Sequence, residues 1–330
     1  MFIAVDAMGG DNAPGVVVQG ALQASIETGI DIVLVGNSKA ISIALNGCKG
    51  SGKIGIHHCD EAVLMDEPPL RALRNKRDSS IMTAFDLLKR GEVDAVVSAG
   101  NSGATMAAGI LNLGKIEGVE RPAIACIIPG EKGIVILIDV GGNVDCRPVH
   151  LLQFGIMADA FASSCLGIQT PRVGLLNIGR EAGKGNEQIR SAYNLLQESS
   201  INFIGNVEGG DILSGNAQIV ICDGFIGNIV LKMSEGLAES ISLKLKRELK
   251  KSISGKLVTL IGRSFLTKFE KNLDYAELGG APILGIKGVS IVCHGRSSAR
   301  AIKNAVLMAV DFVENRVQER LSMQMAQFHA

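Results

Sequence analysis

The sequence predicts a three-layer α/β/α protein built on a mostly parallel, mixed sheet. Short runs rich in Val, Ile and Ala alternate with longer segments whose apolar residues recur at helical spacing. Several of the short runs end alike, in an Asp, Asn or His followed by glycines, as strands do when they hand over to helices. No internal repeat, low-complexity stretch or linker breaks this alternation. Residues 1–330 therefore read as a single α/β domain, with an amphipathic helical arm over residues 236–275 inside it.

Phe2–Val5 reads as the opening strand, and Asp6-Ala-Met-Gly-Gly-Asp11 leads to a helix near Pro14 whose buried face holds Val17, Leu22 and Ile26. Asp31–Gly36 is a strand, Ser38–Leu45 a helix, and Ile54–His57 a third strand behind a basic loop. Leu70–Arg77 is a polar helical turn or two, and a helix capped at Ser79 or Ser80 stops at Gly91. Ala95–Ser98 is a buried strand, followed by a small-residue helix from Thr105. Ala123–Ile128 and Ile134–Ile138 flank Pro129-Gly130 and charges, which is a hairpin pattern and makes the sheet mixed. Val149–Cys165 is a long helix, Pro171–Leu176 a strand and Asn186–Gln197 a helix behind a glycine-rich loop. Strands Asn202–Ile204 and Ala217–Cys222 come next, and Phe225–Lys251 is largely helical. A Gly-Gly-Ala-Pro turn, a strand at Val289–Cys293 and one C-terminal helix complete the reading.

Composition removes several function classes. Lys plus Arg and Asp plus Glu number 33 each, and aromatics are 4% with no Trp, so neither charge nor stacking surface favours nucleic acid. The seven cysteines are scattered without a Cys-x-x-Cys pair, which fits a reducing compartment. His57 and His58 adjoin Cys59 without metal-ligand spacing, so no metal is expected. No apolar run approaches the roughly 20 residues of a membrane span, and the chain starts on a strand, so a soluble protein is expected.

The chemistry-bearing residues stand at strand ends. Ser98-Ala-Gly-Asn-Ser-Gly-Ala104 brings a strand into a helix N-terminus, where free N–H groups and the positive end of the helix dipole favour an anion near Asn101, Ser102 and Gly103. A plain turn explains the same residues, and Gly-x-Ser-x-Gly is not spelled. Lys184 sits in a glycine loop with Asn186 as helix cap; the spacing and Gly185 exclude a nucleotide-hydrolysing P-loop. Asp223-Gly-Phe-Ile-Gly-Asn228 opens a helix, with Asp223 a cap or an acid and Asn228 a donor. Asp139-Val-Gly-Gly-Asn143 is a comparable loop, and His294-Gly-Arg296 follows the last strand. The Gly-x-Gly-x-x-Gly of a dinucleotide site is missing, so no cofactor is expected. Placed side by side in one parallel sheet, these turns form a polar crevice at its carboxyl edge. Within the arm, residues 244–271 carry nine Lys/Arg and two Glu, interleaved with Val258, Leu260, Ile261 and Phe265. That mixture suits an anionic bilayer or a second subunit, with lipid contact at Leu257, Val258, Leu260 and Ile261.

Taken together, Asp6–Asp11, Ser98–Ala104, Asp139–Asn143, Leu176–Gly179 with Lys184–Asn186, Asp223–Asn228, Tyr275-Ala-Glu277 with Gly279–Pro282, and His294-Gly resemble the bacterial acyl-ACP:phosphate acyltransferases, the PlsX family, in order over nearly the whole chain. The resemblance implies a fold related to phosphotransacetylases and isocitrate/isopropylmalate dehydrogenases. It further implies a homodimer, peripheral attachment to the cytoplasmic membrane, and transfer of a long acyl chain from acyl carrier protein to inorganic phosphate for a downstream acyl-phosphate:glycerol-3-phosphate acyltransferase. Phosphate itself is then the nucleophile. Lys184, Asn228, Asp223 and His294 become the catalytic candidates, and Asn101, Ser102, Gly103, Asn186 and Arg296 the substrate-binding ones. Arg71, Arg74 and Arg77 are the expected docking surface for the acidic carrier. Arg180 and Arg296 depart from the family pattern and add positive charge beside the anion site.

Overall fold

The computed structural model describes residues 1–50, 52–251 and 279–328. Its first half runs β1 (Phe2–Asp6), α1 (Gly15–Thr28), β2 (Asp31–Gly36), α2 (Ser38–Asn46), β3 (Lys53–His58), α3 (Pro69–Asn75), α4 (Ser80–Lys89), β4 (Ala95–Ser98) and α5 (Ser102–Leu113). The hairpin β5 (Ala123–Gly130) and β6 (Gly133–Ile138) follows, then α6 (Pro148–Cys165), β7 (Val173–Leu176), α7 (Glu187–Glu198), β8 (Phe203–Val207) and α8 (Asp211–Ser214). The chain continues with β9 (Ile219–Ile221), α9 (Gly224–Lys251), β10 (Ala281–Leu284), β11 (Val289–Val292), α10 (Ala299–Glu314) and α11 (Val317–Phe328).

All eleven strands join one sheet in the order β3-β2-β1-β4-β11-β10-β5-β6-β9-β7-β8. Two apolar layers cover it. Ile3, Val97, Phe154 and Ile302 belong to the layer under α1, α6, α10 and α11, while Phe85, Ala108, Ile124 and Val292 belong to the layer under α3, α4, α5 and α9. Helix α6 is apolar nearly all round because the sheet, α7 and α11 each cover a side of it. Of the residues expected to face the core from α1, Val17 and Leu22 are buried and Ile26, two residues from the helix end, is exposed.

The sheet is not one parallel array with one carboxyl edge. Strands β3, β2, β1, β4 and β11 are mutually parallel. Each of β10, β5 and β6 reverses the sense of its neighbour, and β9, β7 and β8 then run with β6. The two halves therefore point in opposite directions. Register decides where their ends meet. Ser98 is level with Val292, Val292 with Ala281, Ile283 with Ile124, and Ile138 with Ala125. Counting along these pairs, the carboxyl end of β6 reaches the level of the carboxyl end of β4 within about one residue step, roughly 3.4 Å.

Strand β10 occupies the segment read from sequence as a turn. Its first half pairs with β11 (Ala281, Pro282) and its second with β5 (Ile283, Leu284), so the ladder changes sides at the proline that has no N–H to give. The expected C-terminal helix is two helices, broken at Arg316, whose φ of 50° is left-handed.

Helix α9 is laid across the end of β6 by two glycines. A methyl group on Gly224 would come within 2.6 Å of the Asn143 carbonyl oxygen, and one on Gly227 would collide with the carbonyl oxygen of Asp139. Gly227→Ala is expected to lower stability by about 2 kcal/mol, as overpacking of a tight site does. A fall in the urea midpoint checks this; an unchanged midpoint would mean that α9 slides freely over the β6 end.

Candidate active site

The turn after β4 is built on a buried carboxylate. Asp6, at the end of β1, accepts a 2.7 Å hydrogen bond from Ser98 Oγ and a 3.2 Å bond from the Met8 N–H. Ser98 Oγ accepts in turn from the Gly100 N–H at 3.0 Å. Burial pushes the Asp6 carboxyl up, while the Ser80 and Ser98 hydroxyls and the Met8 and Gly9 amides draw it back. Asn101 then closes the first turn of α5: its Oδ1 accepts from the Ala104 N–H at 3.1 Å, and its Nδ2 donates to the carbonyl oxygens of Met65 and Glu67.

The turn after β6 has the same construction. Asp139 is fully buried and accepts from the N–H groups of Ile124, Gly142 and Asn143 and from Asn143 Nδ2, at 2.6–3.0 Å. Burial raises its carboxyl too, against those donors. Gly142 comes so close to Met106 of α5 that a methyl group there would lie 3.0 Å from the sulfur. The two turns thus flank a common space.

That space is a cavity of about 960 Å³, at the upper end of the roughly 300–1,000 Å³ of small-molecule sites. Its apolar lining includes Ile124, Cys126, Ile127, Val140, Leu231 and Val292. Its polar lining includes the N-termini of α5, at Gly100 and Ser102, and of α10, at Ser297 and Ser298. Two helix dipoles therefore present positive ends to one volume. Asn228, Lys232 and Glu235 enter from one face of α9, and His294 and Arg296 from the loop after β11. His294 Nδ1 accepts the Arg296 N–H at 3.1 Å, which leaves the Nε2 proton pointing outward, 3.9 Å from Glu235 Oε2. In its neutral form this ring is a hydrogen-bond donor to the cavity rather than a base.

Ser102, Asn228, His294 and Arg296, named from sequence, come together here. Asn101 and Gly103 shape the turn without lining the cavity, Gly103 lying against Pro69. Asp223 and Asn186 are helix caps and do not line the cavity: Asp223 Oδ1 accepts from Ile226 and Asn186 Oδ1 from Ile189, both at 2.9 Å. Lys184 stands in the loop after β7, two strands out from β6, and does not line the cavity. Arg180 is engaged by Asp211 at 2.8 Å and Glu208 at 3.6 Å, which accounts for its charge without an anion site. Arg71, Arg74 and Arg77 are exposed on and beside α3, whose preceding segment reaches the cavity at Met65. Leu257, Val258, Leu260 and Ile261 lie outside the described residues. Sequence reading missed Lys232 and Glu235, although Asn228, Leu231, Lys232 and Glu235 follow the i, i+3, i+4, i+7 spacing of one helix face.

Two measurements test this construction. Inorganic phosphate is expected to raise the thermal midpoint with the logarithm of its concentration above Kd, the gain in stability reaching about 2.7 kcal/mol at a hundredfold excess. The double variant Lys232→Gln/Arg296→Gln should lose most of that shift; a shift that survives would place the anion elsewhere. For Asp6, the folded chain holds a proton that the unfolded chain releases, because its pKa is raised above the ordinary 3.8. That contribution is complete below 3.8 and is lost as pH rises through the raised value. The stability of Asp6→Asn minus that of the wild type should therefore increase as pH rises above 3.8, until the raised pKa is passed. A difference that shrinks over this range would show a carboxylate stabilised by its donors instead.

A model of the fatty acid synthesis protein family matches residues 1–320. The chain is 49% identical over 319 residues to a phosphate acyltransferase of Pelotomaculum thermopropionicum, covering 97% of this chain and 93% of that one. To the phosphate acyltransferase of Syntrophotalea carbinolica it is 52% identical over 326 residues, covering 98% and 94%. Among solved structures, a phosphotransacetylase from Streptococcus pyogenes matches with a TM-score of 0.62 at 16% identity, over 95% of this chain and 94% of that one. A 4-hydroxythreonine-4-phosphate dehydrogenase from Klebsiella pneumoniae matches with a TM-score of 0.55 at 14% identity, over 95% and 99%. The two structural likenesses speak to the fold alone, and on the sequence matches the chain belongs to the fatty acid synthesis protein family, the PlsX family that its loop motifs resemble.

Proposed function

We propose that this protein transfers a long-chain acyl group from the thioester of an acyl carrier protein to inorganic phosphate, releasing acyl phosphate and the carrier thiol. One observation carries the reading: two helix N-termini, Lys232, Arg296 and His294 line the same cavity as the apolar side chains of Ile124, Ile127, Val140, Leu231 and Val292. A phosphate and an acyl chain need those two kinds of lining in one cavity.

Phosphate rests on the first-turn amides of α5 around Ser102 and at the start of α10, with Lys232 and Arg296 balancing its charge. Its oxygen attacks the thioester carbon. A C–O bond forms, the carbonyl electrons move to oxygen, and the Asn228 amide donates to that oxyanion. Collapse breaks the C–S bond, and the sulfur leaves as thiolate; a thiol pKa of roughly 8.5 makes a strong general acid unnecessary. His294 Nε2–H donates to phosphate and holds it in line. No acyl-enzyme is formed, in keeping with the cavity cysteines Cys126 and Cys293, whose thiols burial pushes up to about 12. Lys184, beyond the carboxyl end of β7 in the half-sheet of β6 and outside the cavity, draws anionic substrates towards the mouth.

The acidic carrier docks against Arg71, Arg74 and Arg77, beside the segment that reaches the cavity at Met65. In this reading the enzyme works as a homodimer. An exposed row of Phe225, Ile229, Met233, Leu237 and Ile241 along α9 is a surface that a second copy would cover. Among the described residues no helix is long and apolar enough to cross a membrane. Leu257, Val258, Leu260 and Ile261 are assigned to peripheral contact with an anionic bilayer, where a downstream acyltransferase takes up the acyl phosphate.

Acyl phosphate formation, followed as phosphate-dependent release of carrier thiol, tests the reading. Asn228→Ala should lower kcat by about 10²–10³, as loss of an oxyanion donor does. Lys184→Ala should raise KM for phosphate more than it lowers kcat, and reversal of charge at Arg74 and Arg77 should weaken carrier use in a salt-dependent way. Turnover of acetyl-CoA in preference to a long-chain acyl carrier would instead make the protein a phosphotransacetylase, and trapping an acyl group on a cysteine or serine would overturn direct attack.

A further inference from the structure

A second pocket, about 260 Å³, lies on the opposite layer of the sheet, between the end of α6 and the middle of α10. Ile134, Phe161, Leu307, Met308 and Phe312 make it apolar, and it opens to solvent beside Asp311. Nothing in the chemistry described above uses it.

Three features tie it to the main cavity. Ile127 lines both. Strand β10 begins at Ala281, which the antiparallel register puts opposite Cys126, so among the described residues β5 has no β10 partner from Ile127 onward. Gly279 and Gly280 precede β10 without side chains and line the main cavity. A methyl group on Gly279 would lie 3.1 Å from Met308 Cε and 3.1 Å from the Asn304 carbonyl oxygen, so this backbone separates the two spaces by one layer of atoms. Along α10, Ala301 lines the first cavity and Met308 the second, about 10 Å further on at 1.5 Å per residue.

We propose that the second pocket receives the distal methylenes of the acyl chain, which passes over the start of β10 between Ile127 and Met308, and that it thereby sets chain-length preference. The inference rests on the acyl-transfer reading above. The head group stays at the polar residues of the main cavity, and the tail follows the apolar surface that adjoins it at Ile127. Met308, unbranched and with three rotatable bonds, yields without disturbing the helix that carries it.

Chain-length profiles test the proposal. Leu307→Trp fills the second pocket without touching the first. It should reduce the ratio of kcat/KM for hexadecanoyl over octanoyl carrier protein at least about tenfold, the worth of two buried methylenes. Ile127→Trp, at the junction, should do the same. Equal losses for both donors in both variants would overturn the proposal. In a Leu307→Cys variant, hexadecanoate but not octanoate should slow methanethiosulfonate labelling at position 307, which lines the second pocket. Absence of that protection would likewise overturn it. If the wild type forms no acyl phosphate from any donor, the acyl-transfer reading fails, and the labelling result still decides whether a long chain occupies the pocket.

Discussion

The antiparallel pairing of β10 with β5 is the constraint on which the rest of the molecule depends. Only Ile283↔Ile124 and Leu284↔Ala123 are matched, yet this short ladder joins two half-sheets that run in opposite senses. Because the side-chain period of a strand is two, a slip of one residue would turn every side chain of one half to the other face. It would also offset the Asp139 turn from the Gly100 turn. The cavity, the approach of α9 and the place of Ile127 beyond the β10 ladder all follow from this one register.

Much of the fold was legible because its signals are local. Pro129-Gly130 between two β-branched runs marks the β5–β6 hairpin, and the glycines after Asp6, Asp139 and Asp223 mark strand ends. Strand β10 was not legible, since Pro282 argues against a central strand and only the change of partner at that residue makes it tolerable. The reversal between half-sheets was hidden for another reason. Which strand pairs with which is decided by contacts far apart in sequence, and no local pattern records it.

The site was legible in part for a related cause. Asp, Asn and Ser at strand ends catch the eye as chemical groups, but most of them bond the nearest free backbone N–H groups. Asn101, Asn186, Asp223 and Ser298 each cap the helix that follows, and Asp6 and Asp139 hold their turns from beneath. Asn228, Lys232 and Arg296, which cap no helix, face the cavity, and His294 does so while one ring nitrogen accepts the Arg296 N–H. Lys184 drew notice through its glycine loop, whereas Lys232 looked like one more lysine on a long helix until Asn228 and Glu235 were seen above and below it.

The exposed apolar row of α9 repeats every fourth residue, from Phe225 to Ile241. Four residues turn an α-helix through more than a full circle, so the row is a slanted ridge rather than a straight seam. A neighbouring helix that interlocks with such a ridge crosses it at about −50° instead of lying alongside. Two identical chains meeting there would form an X, with tight contact confined to the neighbourhood of Met233 and the ends splayed apart. The far ends of the two helices would then diverge, and whatever each one carries would reach its own patch of surroundings.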